Sequence, residues 1–187
     1  MATRKITCVL ALTLALSQFT HAQDYKKFKA GVGVGYAAAS GFGSAGGMLI
    51  TIEPAYRVHD DFSVGLRLEG AGIIRGTSVD VTSFGSNFAP DRTVISSYTI
   101  NGQYYFGTPE FRPFLGAGFG IYEYGLYELG VQTVFGFYPR IGFDIGHLNF
   151  TFDYNFVPAV SFFGAPAELQ NNYFGMRVGT FFGGGKK

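Results

Sequence analysis

The sequence predicts an all-β fold, an eight-stranded antiparallel up-and-down β-barrel whose strands cross a membrane. Apolar and polar residues alternate with a period of two along most of the chain, and no segment of helical length after residue 22 shows a 3.6-residue period. Only 14% of the residues are charged, whereas 18% are aromatic and the mean hydropathy is positive. Soluble chains average about 25% charged residues. The composition therefore favours strands that place one side in lipid.

Residues 1–22 are the predicted export signal. Arg4 and Lys5 give a basic start, Ile6–Leu16 is an apolar run, and Thr20–Ala22 has the small-x-small pattern of a cleavage site. The apolar run of eleven residues is too short to span a bilayer as a helix. We therefore expect a cleaved signal peptide, followed by one domain.

The domain expected at residues 23–187 contains eight alternating segments. In one of them, LNFTFDYNFVP, every second residue is apolar or aromatic, and the residues between them carry amides, a hydroxyl and a carboxylate. The predicted strands are Lys29–Ser40, Gly47–Val58, Phe62–Gly70, Thr93–Phe106, Arg112–Tyr124, Thr133–Ile145, Leu148–Pro158 and Asn171–Phe182.

The connections between these strands alternate in length. The short ones are His59–Asp61, Gly107–Phe111 and Gly146–His147, and the longer ones are Gly41–Gly46, Arg75–Arg92, Gly125–Gln132 and Ala159–Gln170. Short turns at one end, longer loops at the other and an even number of strands are typical of an outer-membrane barrel. The apolar face should then contact lipid, and the polar face should line the lumen.

Turn length predicts the register of two hairpins. A two-residue turn at Gly146–His147 places Arg140 opposite Asp153 on the lumen side. A three-residue turn at His59–Asp61 places Arg67 opposite Glu53, although a β-bulge at this turn would change that pairing.

We expect a polar network inside the barrel. The lumen of an eight-stranded barrel is only wide enough for side chains to fill it, and the lumen-facing glycines make room for longer side chains from facing strands. This predicts a packed lumen without an open pore. The predicted network residues are Glu53, Arg57, Arg67, Glu69, Asn101, Gln103, Arg140, Asp144, Asp153 and Arg177.

Three segments carry a resemblance to a known family: FSVGLRLEG (Phe62–Gly70), RPFLGAGFGIY (Arg112–Tyr122) and NYFGMRVGTFF (Asn172–Phe182). Over about residues 28–182 the chain resembles the small eight-stranded outer-membrane β-barrel proteins of Gram-negative bacteria, in the broad OmpX/OmpW/OmpA-barrel group. The resemblance implies a location in the cell outer membrane, contact with outer-membrane lipid, and recognition of the last strand by the barrel-assembly machinery. The tail Gly183–Lys187 departs from the family pattern, which ends at the aromatic residue.

The sequence offers little support for catalysis or cofactor binding. Some barrels of this size modify lipids and need a histidine near the outer leaflet, but His59 and His147 fall in short turns predicted to face the periplasm. The glycine motif at Gly41–Gly46 precedes a strand, whereas a phosphate-binding motif of this kind precedes a helix. Cys8 lies in the predicted signal peptide. Removal of this peptide would leave a chain with a formal charge of −1, which lacks the basic surface expected of a nucleic-acid-binding protein. We expect no enzyme activity, cofactor, metal site or nucleic-acid partner.

Three functions remain open from the sequence. The first is a structural barrel, or one that recognises an extracellular ligand through its loops, with Phe84, Asn87 and Phe88 of the longest loop as candidate contacts. The second is an outer-membrane transport channel for small solutes, apolar ones included. The third is a secreted lipocalin-like barrel, which would need an apolar interior and a polar exterior.

Overall fold

A computed structural model describes residues 25–40, 45–75, 91–108, 110–126, 130–158 and 171–184. The predicted signal peptide lies outside these residues. The described chain forms eight strands: β1 Phe28–Ala39, β2 Gly47–His59, β3 Phe62–Arg75, β4 Asp91–Tyr105, β5 Phe111–Leu126, β6 Gly130–Ile145, β7 Leu148–Asn155 and β8 Tyr173–Gly183. Each strand pairs antiparallel with the next, and β8 pairs with β1 to close the barrel. Among the described residues, no helix has the length and hydropathy needed to cross a membrane.

All eight predicted strands are present, but several of their ends differ. Strands β3 to β6 extend further toward the long loops than the alternation indicated, because residues assigned to loops continue the ladder up to the pairs Arg75–Asp91 and Leu126–Gly130. Strand β7 instead ends three residues before Pro158. Its ladder with β6 is interrupted where Pro139, which has no backbone N–H to donate, lies in β6.

The outer surface of the barrel is apolar on every side. Large apolar side chains such as Val34, Leu66, Leu115 and Phe182 are 52–70% exposed, and soluble monomers rarely expose apolar surface so continuously. Aromatic residues gather near the end with the short turns, as at a membrane interface: Phe28, Tyr56, Phe62, Tyr104, Phe106 and Phe111. The outward face is therefore the lipid-facing one, the inverse of a lipocalin-like barrel.

The lumen is filled by side chains in three layers. The loop-end layer is Ala37, Leu49, Ala71, Ile73, Ile95, Tyr122, Tyr124, Val157 and Tyr173. The central layer is Glu53, Arg67, Glu69, Asn101, Gln103, Tyr138, Arg140, Asp153, Asn155 and Arg177, and the turn-end layer is Tyr25, Lys29, Arg57, Tyr105, Arg112, Asp144 and Phe181. Alternation thus places two polar layers and one hydrophobic layer inside an apolar shell.

Glycines create the space that these lumen side chains occupy, as predicted. A Cβ at Gly118 would collide with the Tyr138 ring, and one at Gly116 would lie 3.0 Å from Cγ of Arg140. Both side chains come from β6, the strand paired with β5, and not from a strand across the lumen, so each neighbouring pair combines a large side chain with a glycine.

Candidate functional site

The β6–β7 hairpin brings Arg140 opposite Asp153, as the two-residue turn predicted. Gly146 in this turn has φ 58°, a backbone conformation that glycine adopts without strain. The alternation and the turn length together were sufficient to place this pair.

The β2–β3 hairpin differs from its predicted form. Its turn is only Asp60–Asp61, because His59 pairs with Phe62, and the register shifts between Arg57 and His59. Beyond this irregularity, the paired residues follow the predicted register, from Arg57 opposite Ser63 to Leu49 opposite Ala71. The expected three-residue turn was therefore wrong, whereas the register of the rest of the hairpin was right.

Ion pairs in the lumen do not follow this register. Arg140 lies opposite Asp153 but donates to Oε1 of Glu53 at 2.6 Å. Arg67 has its Nη1 at 3.5 Å from both Glu69 and Asp153. Long side chains in a narrow closed barrel reach across the lumen, so the residue opposite on the neighbouring strand need not be the partner.

Two arginines share two carboxylates at the centre of the barrel. Arg177 donates to Glu69 through Nη1 and to Asp153 through Nη2, the same two residues that flank Arg67. The Tyr173 hydroxyl also donates to Glu69, at 2.5 Å. With the pair Arg140–Glu53, the central layer contains three cations and three carboxylates, so its formal charge is zero.

Arg67 is the most enclosed of these charges, with no exposed surface. Its guanidinium carbon lies 3.5 Å from the centroid of the Tyr138 ring, and its Nη2 donates to Asn155 at 2.8 Å and to the Tyr122 hydroxyl at 3.3 Å. These neutral groups, together with the two carboxylates, offset part of the cost of burying the Arg67 charge.

Glu53 collects the remaining predicted amides. Its Oε1 accepts from Gln103 at 2.8 Å and from Asn101 at 3.3 Å, in addition to Arg140. Eight of the ten predicted residues thus lie together in the central layer.

Asp144 and Arg57 lie apart from them, in the turn-end layer. Asp144 accepts from Lys29 and from Asn149, each at 2.6 Å. Within the described residues, the side chain of Arg57 makes one long hydrogen bond, 3.4 Å, to the backbone oxygen of Asp60, and its guanidinium carbon lies 4.5 Å from the Tyr25 ring centroid. The predicted residues therefore form two groups instead of one continuous network.

Sequence reasoning left out several lumen residues that complete these groups: Lys29, Arg112, Tyr122, Tyr138, Asn149, Asn155 and Tyr173. Their inward direction follows from the alternation of each strand. Their partners depend on distances across the lumen, which the sequence does not contain.

A small cavity of about 40 Å³ lies between the central and turn-end layers, lined by polar groups that include Glu53, Arg140, Arg177 and Asn149. Polar walls and this volume suit about two or three water molecules. The described lining does not include the loop-end layer, where Leu49, Ile95 and Tyr122 have no exposed surface. The cavity is thus a pocket on the turn side of the apolar layer.

His59 and His147 lie at the short-turn end, as expected. His59 Nδ1 accepts a hydrogen bond from the Asp61 N–H at 3.4 Å, and His147 Nδ1 lies 3.1 Å from the backbone oxygen of Phe181. In the part of the chain that the structure describes, no group of three or more His, Cys, Asp or Glu residues is placed to hold a metal ion. The absence of enzyme activity stays a prediction.

The candidate recognition residues Phe84, Asn87 and Phe88 lie outside the described residues, as does most of the motif at Gly41–Gly46.

Comparison with known proteins identifies the fold of this chain through similar solved structures. No protein-family model and no curated protein sequence matches the chain. The crystal structure of Neisserial surface protein A (NspA) is similar, with a TM-score of 0.62 at 19% identity, over 83% of this chain and 96% of that one. The outer membrane protein OprG from Pseudomonas aeruginosa has a TM-score of 0.50 at 14% identity, over 87% of this chain and all of that one. The chain therefore has the fold of the small eight-stranded outer-membrane barrels, and with the apolar outer surface this fold indicates the cell outer membrane as its location.

Proposed function

We propose that this integral outer-membrane barrel has no open pore and acts as a rigid scaffold, structural in itself, whose outer loops carry any recognition of an extracellular ligand. The observation that supports this most directly is the packing of the lumen. The apolar loop-end layer lies above a neutral central layer, so a solute would have to displace both.

The central layer resists such displacement because its charges depend on one another. Moving Arg177 away would leave Glu69 and Asp153 without their shared donor. Removal of one member of a buried ion pair costs about 3–5 kcal/mol. Thermal opening of a path through this layer is therefore rare.

The longest loop has a rigid base. Strands β3 and β4 remain paired up to Arg75 and Asp91, so residues 76–90 extend from the end of a continuous ladder. Loops on rigid elements often carry binding residues, which keeps Phe84, Asn87 and Phe88 as the proposed contacts.

Two further partners are part of the proposal. Outer-membrane lipid would surround the apolar exterior, and the barrel-assembly machinery would receive β8. Neither a cofactor nor a nucleic acid has a place in this function.

Conductance tests the closed lumen. The full chain without its signal, refolded in planar bilayers, should show no current above that of protein-free bilayers. A variant with residues 76–90 replaced by a short Gly-Ser linker should retain the gel-mobility shift on boiling, since the barrel does not depend on this loop for its ladder. Discrete current steps in the unaltered protein that persist in the loop variant would favour the solute-channel alternative instead.

A further inference from the structure

The turn-end layer contains two buried arginines, and neither forms an ion pair with a buried carboxylate of the described residues. Arg57 and Arg112 are 3% and 6% exposed. No carboxylate of the described residues lies within 4 Å of the Arg57 guanidinium, and the nearest one to Arg112 is the half-exposed Asp61 at 3.7 Å. Buried charges are normally paired, so this end of the lumen has more cationic groups than close partners.

The two guanidinium groups converge. Nη1 of Arg57 and Nη2 of Arg112 both point at the backbone oxygen of Asp60, at 3.4 and 2.6 Å, so the two nitrogens are at most about 6 Å apart. Both groups also lie against the Tyr25 ring, at 4.5 and 4.2 Å from its centroid. Like charges held this close repel each other unless an anion lies between or beside them.

Each guanidinium retains an unused donor. Nε of Arg57 and Nη1 of Arg112 are buried and have no hydrogen-bond partner among the residues that the structure describes. Stacking on tyrosine rings compensates the charge in part, but it satisfies neither of these N–H groups. An unsatisfied buried donor is costly, and an acceptor with several oxygens would satisfy both.

The third cation of this layer is already paired. Lys29 donates to Asp144 at 2.6 Å and to the Tyr105 hydroxyl at 3.1 Å. The free binding capacity therefore belongs to the two arginines, whose planar forks match the oxygens of phosphate groups.

We propose that Arg57 and Arg112, beside Tyr25, form a binding site for a phosphate group at the short-turn end of the lumen. Inorganic phosphate and the headgroup of a phospholipid in the adjacent leaflet both present the oxygens that this site binds. This site is separate from the loops and does not depend on the closed lumen.

Phosphate titration of the folded full chain without its signal, in a phosphate-free maltoside detergent at constant ionic strength, tests the site. We expect saturable binding with a Kd at or below about 1 mM. Arg57→Gln should weaken it about tenfold, because it removes a charge-assisted donor. The control is Lys27→Gln, an exposed cation at the same end, which should leave the Kd within about twofold because exposed charges are screened.

Arg112→Lys tests the geometry of the guanidinium donors separately from the charge, because lysine keeps the positive charge and lacks the paired N–H groups. Weaker binding of this variant, with an unchanged gel-mobility shift on boiling, would support the site even where Arg57→Gln does not fold. A second arm titrates short-chain phosphatidylglycerol and compares it with inorganic phosphate. Binding of either ligand supports the site, and the tighter one identifies the source.

Three results would overturn the proposal. The first is no saturable binding of either ligand to the unaltered chain. The second is an equal loss in Lys27→Gln and Arg57→Gln, which would indicate diffuse attraction only. The third is an unchanged Kd in both Arg57→Gln and Arg112→Lys with the gel-mobility shift on boiling retained, which would mean that the phosphate binds elsewhere.

Discussion

The central and turn-end layers bury arginines to a similar extent but compensate them differently. Arg67, Arg140 and Arg177 are 0–4% exposed and each contacts at least one carboxylate, and together they match three carboxylates. Arg57 and Arg112 are 3–6% exposed and lie against tyrosine rings and a backbone oxygen, and the one described carboxylate within 4 Å of either is the half-exposed Asp61 beside Arg112. Burial alone therefore does not tell a structural arginine from one available to a ligand. The identity of the compensating group does.

The largest effect should come from breaking the shared pair in the central layer. Arg177→Met leaves Glu69 and Asp153 buried with less compensation, and we expect a loss of about 3–5 kcal/mol in the free energy of unfolding. Urea titration in lipid vesicles measures it. Lys27→Met, on the exposed rim, is the control and should change little. A loss below about 1 kcal/mol for Arg177→Met would mean that water solvates these carboxylates well.

A smaller effect should follow from filling the space beside Tyr138. Gly118→Ala places a Cβ against this ring, which itself lies on Arg67, and overpacking of this kind costs about 1–3 kcal/mol. Gly125→Ala in the same strand is the matched control, because no atom of the described residues lies within 4 Å of the added Cβ. Unfolding midpoints compare the two. Equal midpoints for both variants would show that the Tyr138 ring moves aside freely.

Arg57→Gln should cost less than either change, about 1 kcal/mol, because none of the described carboxylates loses its ion-pair partner. The same urea titration, run without phosphate, gives the value. If the cost instead equals that of Arg177→Met, the turn-end arginines contribute to stability in the same way as the central ones, and the two layers do not differ in how they compensate buried charge.

The smallest effect is expected when both members of a pair are replaced. Glu53→Leu combined with Arg140→Met removes a cation and a carboxylate together, and such replacements are often neutral, within about 1 kcal/mol. Glu53→Leu alone should be clearly worse, and a double-mutant cycle gives the coupling. A double variant less stable than Glu53→Leu alone would show that Arg140 stabilises the barrel through contacts other than its pair with Glu53.

Much of the fold follows from the sequence because alternation and turn length act locally. The eight strands, the lipid-facing side and the pair Arg140–Asp153 all follow from residues close in sequence. The extra length of β3 to β6 was not predictable, since the apolar pattern weakens beyond Gly70 and pairing with the neighbouring strand decides it.

The candidate site was predictable in its composition but not in its contacts. Asp153 was identified as a lumen residue, yet its ion-pair partners are Arg67 and Arg177, and not the Arg140 opposite it. Which side chains meet depends on the diameter and stagger of the closed barrel. The same limit explains why Arg57 was grouped with residues that it does not contact.

Closure of the barrel also determines when the protein can be completed. The ladder that joins β1 to β8 pairs Lys29 with Gly183 and Ala39 with Tyr173, so its partners are 134 to 154 residues apart along the chain. Contacts of such sequence separation form slowly, and until they form, the first and last strands each present an unpaired edge that invites aggregation. A nascent chain that has emerged as far as β7 still lacks the partner of its first strand. Protection of that edge during transit to the membrane is thus a requirement set by the topology itself.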